Sequence, residues 1–386
     1  MSIITDTDAL KEVCQTLETL PFITIDTEFL RDRTYYPKLC LVQLAGTNIG
    51  PFAIDPPAAG IDLTSLTDLL NNKNVLKVFH AARQDLEIFY NLTGKIPEPI
   101  FDTQVAAMVC GYGEQIGYNN IVKDVCGTQL DKGAQFTDWS RRPLSKKQLT
   151  YALDDVTYLR EVYLHLEKTL ENRNRKKWVS EEMQILTNPE TYQNPPYESW
   201  KRIKIKSHKP KVLAVLREVS AWRELEAQRR NIPRPRVLRD ETLADLAIHP
   251  PKHVSELKKI RNMPSDVASG KYGEQILSAV SKGINTPAED CPRVVKKDRF
   301  PQELTPVLEM LKMLLRIQAS EHEVASKLIA GNAELEELAI NDNADIAPLR
   351  GWRLEIFGNE AKKLIKGEIA LSLKNRQITR LDLTSE

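Results

Sequence analysis

The first half of the chain alternates short apolar runs with stretches of helical spacing. Runs rich in β-branched and apolar residues, bounded by Pro, Gly and Asn, predict strands at Phe22–Phe29, Cys40–Ala45, Phe52–Asp55 and Val75–His80. Helical patterns lie between and after these strands, near Leu63–Leu70, Leu86–Tyr90, Thr103–Val109 and Asn119–Cys126. This order of elements predicts an α/β domain.

A long helix is predicted to follow these elements. It begins at Ser145, because Ser145 and Gln148 have the S-x-x-Q spacing of a capping box. Apolar residues then recur every three or four positions, at Leu149, Leu153, Val156, Leu159, Tyr163, Leu166 and Leu170. We therefore expect one face of this helix to be buried.

The second half of the chain is predicted to be helical throughout, after a Pro- and Asn-rich linker at Asn188–Pro196. A faint repeat predicts two copies of one small helical module, since Ile260-Arg261-Asn262-Met263 matches Leu349-Arg350-Gly351-Trp352 in order and spacing. Thr286–Pro301 would join the copies, and the tail after Arg380 is expected to fray. The predicted boundaries are 1–190 for the α/β domain, 191–208 for the linker, and 209–285 and 300–380 for the two modules.

Composition agrees with a multidomain globular protein, since 386 residues exceed one ordinary core. Hydrophobic residues make up 41% and charged residues 28% of the chain, which excludes a disordered protein. No apolar run approaches the roughly 20 residues that span a bilayer. The amino terminus carries acids instead of the basic and apolar stretches of a signal peptide. We therefore expect a cytoplasmic protein, a monomer without membrane attachment or an obligate protein partner.

Cysteine and histidine spacing limits the kinds of metal site that the chain could form. The five cysteines are scattered without CxxC spacing, and the six histidines form no HExxH pattern. Buried free thiols are therefore expected, and any metal ion should be held by carboxylates, which favours a hard cation.

The net charge of +1 hides a strong asymmetry along the chain. Residues 201–239 contain 13 Lys and Arg and three acids, a net charge of +10, which leaves −9 for the remainder. Such a basic segment predicts a polyanionic partner. A solvated linker and helix face explains the charge alone equally well.

Asp26 and Glu28 lie in the first predicted strand. Residues at i and i+2 of a strand face the same side, so both carboxylates point in one direction with Thr27 opposite. Like charges on a buried strand repel unless a cation compensates them. Alternatively, both acids pair with Arg31 and Arg33 at the end of the strand, and from these residues alone that reading is favoured.

Other candidate residues lie at helix positions. Tyr151 and Asp155, at i and i+4 of the long helix, share a face on which a phenol and a carboxylate could orient water. Asp154 points elsewhere and is expected to be a surface acid. Asp85 opens the helix after the fourth strand, where an acid also stabilises a helix amino terminus.

Taken together, these residues suggest a chemistry that none of them suggests alone. Four acids and a phenol suit two divalent ions about 4 Å apart, the arrangement that stabilises attacking and leaving oxygens in phosphodiester cleavage. Oxygen ligands favour Mg²⁺ or Mn²⁺.

The ordered set D-x-E, D and Y-x-x-x-D resembles the signature of DEDDy 3′–5′ exonucleases, and the flanking residues are similar to the ribonuclease D family. The matching stretches are Ile25–Phe29, Leu39–Leu44, His80–Asp85, Asp138–Leu144 and Tyr151–Val156. The helical modules resemble HRDC domains, although Asn262 stands where Gly is usual; Asn tolerates left-handed backbone. The resemblance implies a ribonuclease H-like α/β exonuclease domain with a mixed central sheet and flanking helices, followed by two all-α HRDC-like bundles.

The resemblance also implies roles for single residues. Asp26, Glu28 and Asp155 would bind one ion, Asp26 would bridge to a second, and Asp85 would hold that second ion through water. Tyr151 would orient the attacking hydroxide. Trp139 would fix the long helix. The basic segment and the aromatic residues after the first strand add expected RNA contacts, although core packing explains Phe29 equally well: Phe29, Tyr35, Tyr36, Arg141, Arg142, Arg229, Arg230, Arg234 and Arg236.

The function implied is a metal-dependent 3′–5′ exoribonuclease that releases 5′-mononucleotides from RNA with an unpaired 3′ end, such as tRNA precursors. Two alternatives remain. One is a DNA exonuclease, because HRDC-like modules also occur in DNA helicases. The other is a non-catalytic RNA-binding adaptor, which would be expected to lose at least one of the acids.

Overall fold

The computed structural model describes residues 3–294 and 299–383. The strands are β1 Ile3–Ile4, β2 Phe22–Leu30, β3 Lys38–Gly46, β4 Ile49–Ile54, β5 Leu76–Phe79, β6 Ile100–Asp102, β7 Ile369–Lys374 and β8 Gln377–Asp382. The helices of the first half are α1 Thr7–Leu17, α2 Thr64–Asn71, α3 Arg83–Thr93, α4 Thr103–Val109, α5 Tyr118–Cys126, α6 Lys146–Asn172 and α7 Lys176–Leu186. The helices of the second half are α8 Pro210–Arg230, α9 Arg234–Val237, α10 Asp240–Ile248, α11 Val254–Leu257, α12 Ser265–Ser269, α13 Lys271–Asn285, α14 Thr305–Glu321, α15 Ser326–Ile329, α16 Asn332–Ile340, α17 Gly351–Arg353 and α18 Asn359–Ile365. None of the described helices is both long and apolar enough to cross a membrane.

A mixed six-stranded sheet forms the centre of the first half, in the order β1-β4-β3-β2-β5-β6. Strand β2 runs antiparallel to β3 and parallel to β5, so neighbours pair with it on both edges. The four predicted strands are confirmed as β2 to β5. Strands β1 and β6 are two and three residues long, too short to produce a recognisable pattern.

Helix α6 packs across this sheet as its apolar pattern predicted. The predicted capping box is present, with the backbone amide of Gln148 donating to the Ser145 hydroxyl at 3.2 Å. The Thr24 hydroxyl of β2 donates to the Val156 carbonyl at 2.8 Å, and Arg160 donates to the Gly46 carbonyl at 2.8 Å. These two bonds fix the position of α6 relative to β2 and β3.

Lys77 of β5 is fully buried, which is rare for lysine. Its ammonium donates to the carbonyls of Asn72 and Val75, each at 2.8 Å, and to that of Glu98. We expect Lys77→Met to lower the free energy of unfolding by about 3 kcal/mol, because it leaves carbonyls without their donor. Urea unfolding measures the change. The exposed Lys73 provides the control: equal effects of Lys77→Met and Lys73→Met would contradict the structural role.

Residues 196–285 form the first helical region, whose core is lined by α8, α10 and α13. Its buried residues include Leu213, Leu216, Val219, Leu243, Leu246 and Ile276. A 3₁₀ helix at Pro196–Arg202 precedes α8, and Trp200 and Ile203 belong to this core although they lie in the predicted linker. The domain boundaries themselves stay predictions.

Residues 302–382 form the second helical region, with Leu311, Leu314, Leu338 and Phe357 fully buried in its core. The prediction that everything after the linker is helical is wrong here, because β7 and β8 form an antiparallel hairpin. Asn375 and Arg376 both have positive φ, 52° and 64°, so a tight turn joins the strands. The tail after Arg380 was expected to fray, but β8 continues through Asp382, so this prediction is wrong up to that residue. Residues 384–386 of the tail and 295–298 of the predicted connector lie outside the described residues.

Both helical regions contact the α/β domain. Asn231, which follows α8, accepts hydrogen bonds from the backbone amides of Tyr35 and Tyr36 at 3.1 and 3.0 Å. On the other side, Trp178 of α7 stacks on Trp352 with ring centroids 4.6 Å apart. The buried Glu182 carboxylate accepts from Arg353 at 2.6 Å. The first contact is therefore polar, and the second combines stacked rings with a buried ion pair.

Candidate active site

Three carboxylates from β2 and α6 converge on one point. Oxygen atoms of Asp26, Glu28 and Asp155 all lie within 4.8 Å of one another. Asp26 and Glu28 share a face of β2 because they are two residues apart. The bond from Thr24 to the Val156 carbonyl holds the adjacent Asp155 opposite them. The cluster therefore follows from the alternation of one strand and the register of one helix.

A pocket of about 350 Å³ surrounds the cluster. Tyr151 lines it one helical turn before Asp155 and hydrogen-bonds the Asp155 carboxylate. The buried Trp139 packs beside the Tyr151 ring, with centroids 6.2 Å apart. Trp139 thus supports the start of α6 at the point where that helix enters the site.

Asp85 lies beside the cluster but is not one of the residues that line the pocket. Its buried carboxylate accepts a hydrogen bond from the Thr27 hydroxyl of β2. The turn before it has a strained residue, Ala81, with φ of 59°. The Asp102 carboxylate holds that turn by accepting from the amides of Ala81 and Ala82 at 3.0 and 2.9 Å.

Burial and mutual repulsion act in the same direction on these acids. Burial, followed by the charge of Asp155, raises the pKa of Asp26 well above its usual range, and burial with the charge of Asp26 does the same for Asp85. The pKa of Glu28 rises to about 10 and that of Asp155 to about 8, in both cases mainly because of burial. Within residues 3–294 and 299–383, no Lys or Arg forms an ion pair with any of the four.

This donor set fits divalent cations. Oxygen donors grouped in a pocket, without a neutralising side chain, match the preference of Mg²⁺ and Mn²⁺ for hard ligands. Tyr151 has a different role, because burial and the neighbouring carboxylates raise the pKa of its phenol far above neutrality. The phenol therefore favours its protonated form, which can donate a hydrogen bond to the Asp155 carboxylate.

We expect Mg²⁺ binding to release protons and to strengthen as pH rises from about 6 to about 9. Raised pKa values mean that Asp155 and Glu28 hold protons when no cation is bound, and a cation must displace them. Calorimetric titration with Mg²⁺ in buffers of different ionisation enthalpy measures the released protons. Binding heats that do not depend on the buffer would contradict protonation of these two carboxylates in the metal-free protein.

The arginines expected to contact RNA are partly engaged in other contacts. Arg142 donates to both oxygens of Asp55, at 2.9 and 2.5 Å, and to the Cys40 carbonyl at 2.7 Å. The exposed Arg141 lies 3.3 Å from Asp138. Arg142 therefore joins the loop before α6 to the sheet, whereas Arg141 keeps access to solvent.

In the first helical region, too, an arginine expected to contact RNA binds protein groups. Arg234 donates two hydrogen bonds to the buried Glu224, at 2.5 and 2.6 Å, and stacks over the Tyr35 ring. The Tyr35 hydroxyl also donates to Glu224. These contacts tie the aromatic residues after β2 to α8.

The other expected RNA contacts differ in exposure. Arg229 and Arg230 pair with Glu226, Arg236 is exposed, and Phe29 and Tyr36 are half-buried. Phe29 packs against the core of the α/β domain. None of these contacts with RNA is tested by the geometry, so they stay predictions.

Sequence reasoning missed several residues that line the pocket, namely His80, Tyr118, Asn119, Asn120, Lys132 and Gln135. Tyr118 to Asn120 begin α5, while Lys132 and Gln135 lie in the loop between α5 and α6. No periodicity links a loop to a strand about 100 positions earlier, so the spacing rules that found the acids carry no signal for them. His80 lay within a stretch that resembled the exonuclease family.

Comparison with known proteins agrees with this architecture. The 3′–5′ exonuclease family model matches residues 1–171, and the HRDC domain model matches residues 212–280. Ribonuclease D of Nitrobacter hamburgensis is 48% identical over 382 residues, covering 99% of this chain and all of that protein. Ribonuclease D of Sphingobium indicum is 44% identical, covering 97% of each chain.

A solved structure shows the same likeness in three dimensions. The crystal structure of Escherichia coli RNase D, described as an exoribonuclease involved in structured RNA processing, superimposes with a TM-score of 0.81 at 28% identity. The match covers 95% of this chain and 98% of that one. With its mixed sheet, acidic cluster, HRDC domain and full-length relatives, the chain belongs to the ribonuclease D family of 3′–5′ exoribonucleases.

Proposed function

We propose that this protein removes nucleotides one at a time from the 3′ end of RNA and releases 5′-mononucleotides. The observation that carries the proposal is the cluster of Asp26, Glu28 and Asp155 within one pocket. In each step water attacks the terminal phosphorus, the bond to the 3′ oxygen of the preceding nucleotide breaks, and that oxygen takes up a proton. The phosphate remains on the departing nucleotide.

Asp26, Glu28 and Asp155 would hold one divalent ion, Mg²⁺ or Mn²⁺. Asp26 would reach a second ion, which Asp85 would hold through water while Thr27 fixes its carboxylate. Two such ions supply charge stabilisation for the attacking and leaving oxygens. The protonated Tyr151 phenol would donate a hydrogen bond that orients the attacking water toward phosphorus.

We propose RNA with an unpaired 3′ end, such as a tRNA precursor, as the substrate. The description of the E. coli relative as acting on structured RNA supports this choice. Several exposed cations of the basic segment have no ion pair or side-chain hydrogen bond within the described residues and are available for phosphates: Lys204, Lys206, Lys209, Arg236 and Arg239. Arg229, Arg230 and Arg141 would join them.

We further propose that residues 300–380 contain a second HRDC-like module. The nine-residue helices α10 and α16 occupy corresponding places in the repeat. Asn262 and Gly351 align in the sequence, and both have left-handed backbone, with φ of 58° and 49°. The acids of α16, Glu334, Glu336 and Glu337, disfavour contact between this helix and RNA phosphates. The monomeric state and the cytoplasmic location stay predictions.

The test uses RNA labelled at its 5′ end, with a hairpin and a short unpaired 3′ tail, incubated with Mg²⁺, Mn²⁺ or EDTA. We expect a ladder that shortens by one nucleotide at a time and disappears with EDTA. A DNA oligonucleotide of the same sequence distinguishes the DNA exonuclease alternative. Intact RNA with either metal ion, together with retardation on a native gel, would favour the adaptor alternative and contradict the proposal.

A further inference from the structure

The loop between α5 and α6 is anchored to the same helix that carries two of the proposed catalytic residues. We call residues 128–137 the rim loop. Ala134 is 1% exposed while residues on both sides of it are exposed, so the loop is fixed at this point. The Thr137 hydroxyl donates to the Ala134 carbonyl at 2.8 Å and accepts from the Gln148 side chain at 3.1 Å. Gln148 belongs to the capping box of α6, so rim loop and catalytic helix are positioned together.

Lys132 of the rim loop lines the pocket that holds the carboxylates. Its side chain forms no hydrogen bond or ion pair in the part of the chain that the structure describes, and the neighbouring Asp131 pairs with Lys147 at 3.2 Å. An ammonium that served to neutralise the acids would lie against them. Lys132 instead lies in the pocket wall without pairing with the acids, so its charge is available to a phosphate of a bound strand.

Phe136 is 94% exposed, the highest value among the large hydrophobic residues of the described chain. It directly follows Gln135, which also lines the pocket. A phenyl ring held in water loses the free energy that burial would give it. Stacking on a nucleic-acid base would bury the ring without reading the identity of the base.

We propose that the rim loop holds the 3′-terminal nucleotides of the substrate, with Lys132 binding a phosphate oxygen and Phe136 stacking on a base. This inference rests on the proposed exoribonuclease function and adds the residues that bind the end of the strand. Both contacts are independent of sequence, as removal of successive nucleotides requires.

Lys132 is tested by Lys132→Met and Lys132→Arg, with Lys11→Met on the exposed face of α1 as control. We expect Lys132→Met to lower kcat/KM by about 10- to 100-fold, the range of a lost charge-assisted contact. Lys132→Arg and Lys11→Met should stay within about threefold of the wild type. Binding of single-stranded RNA is also measured in EDTA by fluorescence anisotropy at several salt concentrations. The slope of the logarithm of the binding constant against the logarithm of the salt concentration should become about 0.7 less steep in Lys132→Met and stay unchanged in the other two variants.

The binding measurement needs no turnover, so it tests Lys132 even if the protein fails to degrade RNA. A wild type that leaves RNA intact would refute the proposed function, while the salt slopes would still show whether Lys132 contacts a phosphate. Equal salt slopes and equal kcat/KM for Lys132→Met and Lys11→Met would overturn the role of Lys132.

Phe136 is tested with an RNA that ends in 2-aminopurine, whose fluorescence falls when the base stacks. We expect the wild type and Phe136→Tyr to quench the bound probe and Phe136→Leu to lose most of the quenching, with KM raised about 5- to 50-fold. Leu92→Ala, an exposed apolar change on α3, is the control. Quenching and KM of Phe136→Leu that match the wild type would overturn the stacking role.

Discussion

We expect Asp155→Asn to lower the rate of RNA hydrolysis by about 10⁴-fold, the scale on which removal of one member of a catalytic unit acts. The amide cannot replace the charge that Asp155 contributes beside Asp26 and Glu28, so the cluster loses affinity for cations. Rates are measured on the tailed RNA at saturating Mg²⁺. Asp154→Asn, which changes the adjacent acid on the same helix, should keep most of the activity.

The same substitution should stabilise the metal-free protein at high pH. The pKa of Asp155 is raised to about 8, first by burial and then by the charge of Asp154. The folded state therefore binds more protons than the unfolded state between about pH 4 and 8, and stability falls as pH rises through that window. Asn removes this loss. The free energy of unfolding, measured with urea in EDTA, should therefore be higher for Asp155→Asn than for the wild type near pH 9 and about equal for the two near pH 4. A variant that is less stable than the wild type at both values would contradict the burial and repulsion that raise this pKa.

Tyr151→Phe should reduce kcat by about 10²- to 10³-fold while KM and Mg²⁺ binding change little. The ring and its packing against Trp139 remain, and only the hydroxyl that hydrogen-bonds Asp155 is lost. Because the pKa of Tyr151 lies far above neutrality, its ionisation should not shape the pH–rate profile. The profile of Tyr151→Phe should therefore run parallel to that of the wild type.

Tyr158→Phe provides the matched control, since Tyr158 is half-buried on the same helix and does not line the pocket. A pH–rate limb that is present in the wild type and absent only from Tyr151→Phe would show that the phenol titrates during turnover. That outcome would contradict the donor role and favour a base.

Local rules predicted which of the candidate residues share a face. A strand places residues two apart on one face, and a helix places residues four apart on one face, so Asp26 with Glu28 and Tyr151 with Asp155 were found from spacing. The two pairs meet where the Thr24 hydroxyl donates to the Val156 carbonyl. No sequence pattern predicts this contact. At the level of sequence, the chemistry of two-metal sites and the family resemblance joined the two pairs, whereas spacing did not.

Contacts between distant segments were less predictable. Tyr35 and Arg234 have the residue types of an RNA-binding surface, yet both bind Glu224, which is buried in α8. An aromatic ring or a cation looks the same in sequence whether its partner is a phosphate or a carboxylate 189 positions away. The hairpin β7–β8 was missed for a related reason, because the left-handed pair at Asn375 and Arg376 contains no glycine to mark the turn.

The stacked indoles of Trp178 and Trp352 provide an optical signal that needs no label. The two rings are nearly parallel, with centroids 4.6 Å apart and an angle of 13° between their planes. Their electronic transitions therefore couple, and this coupling disappears when the rings separate. One ring belongs to the α/β domain and the other to the second helical region. Near-ultraviolet circular dichroism of the unmodified protein would therefore follow the docking of that region directly, during unfolding or while RNA is bound.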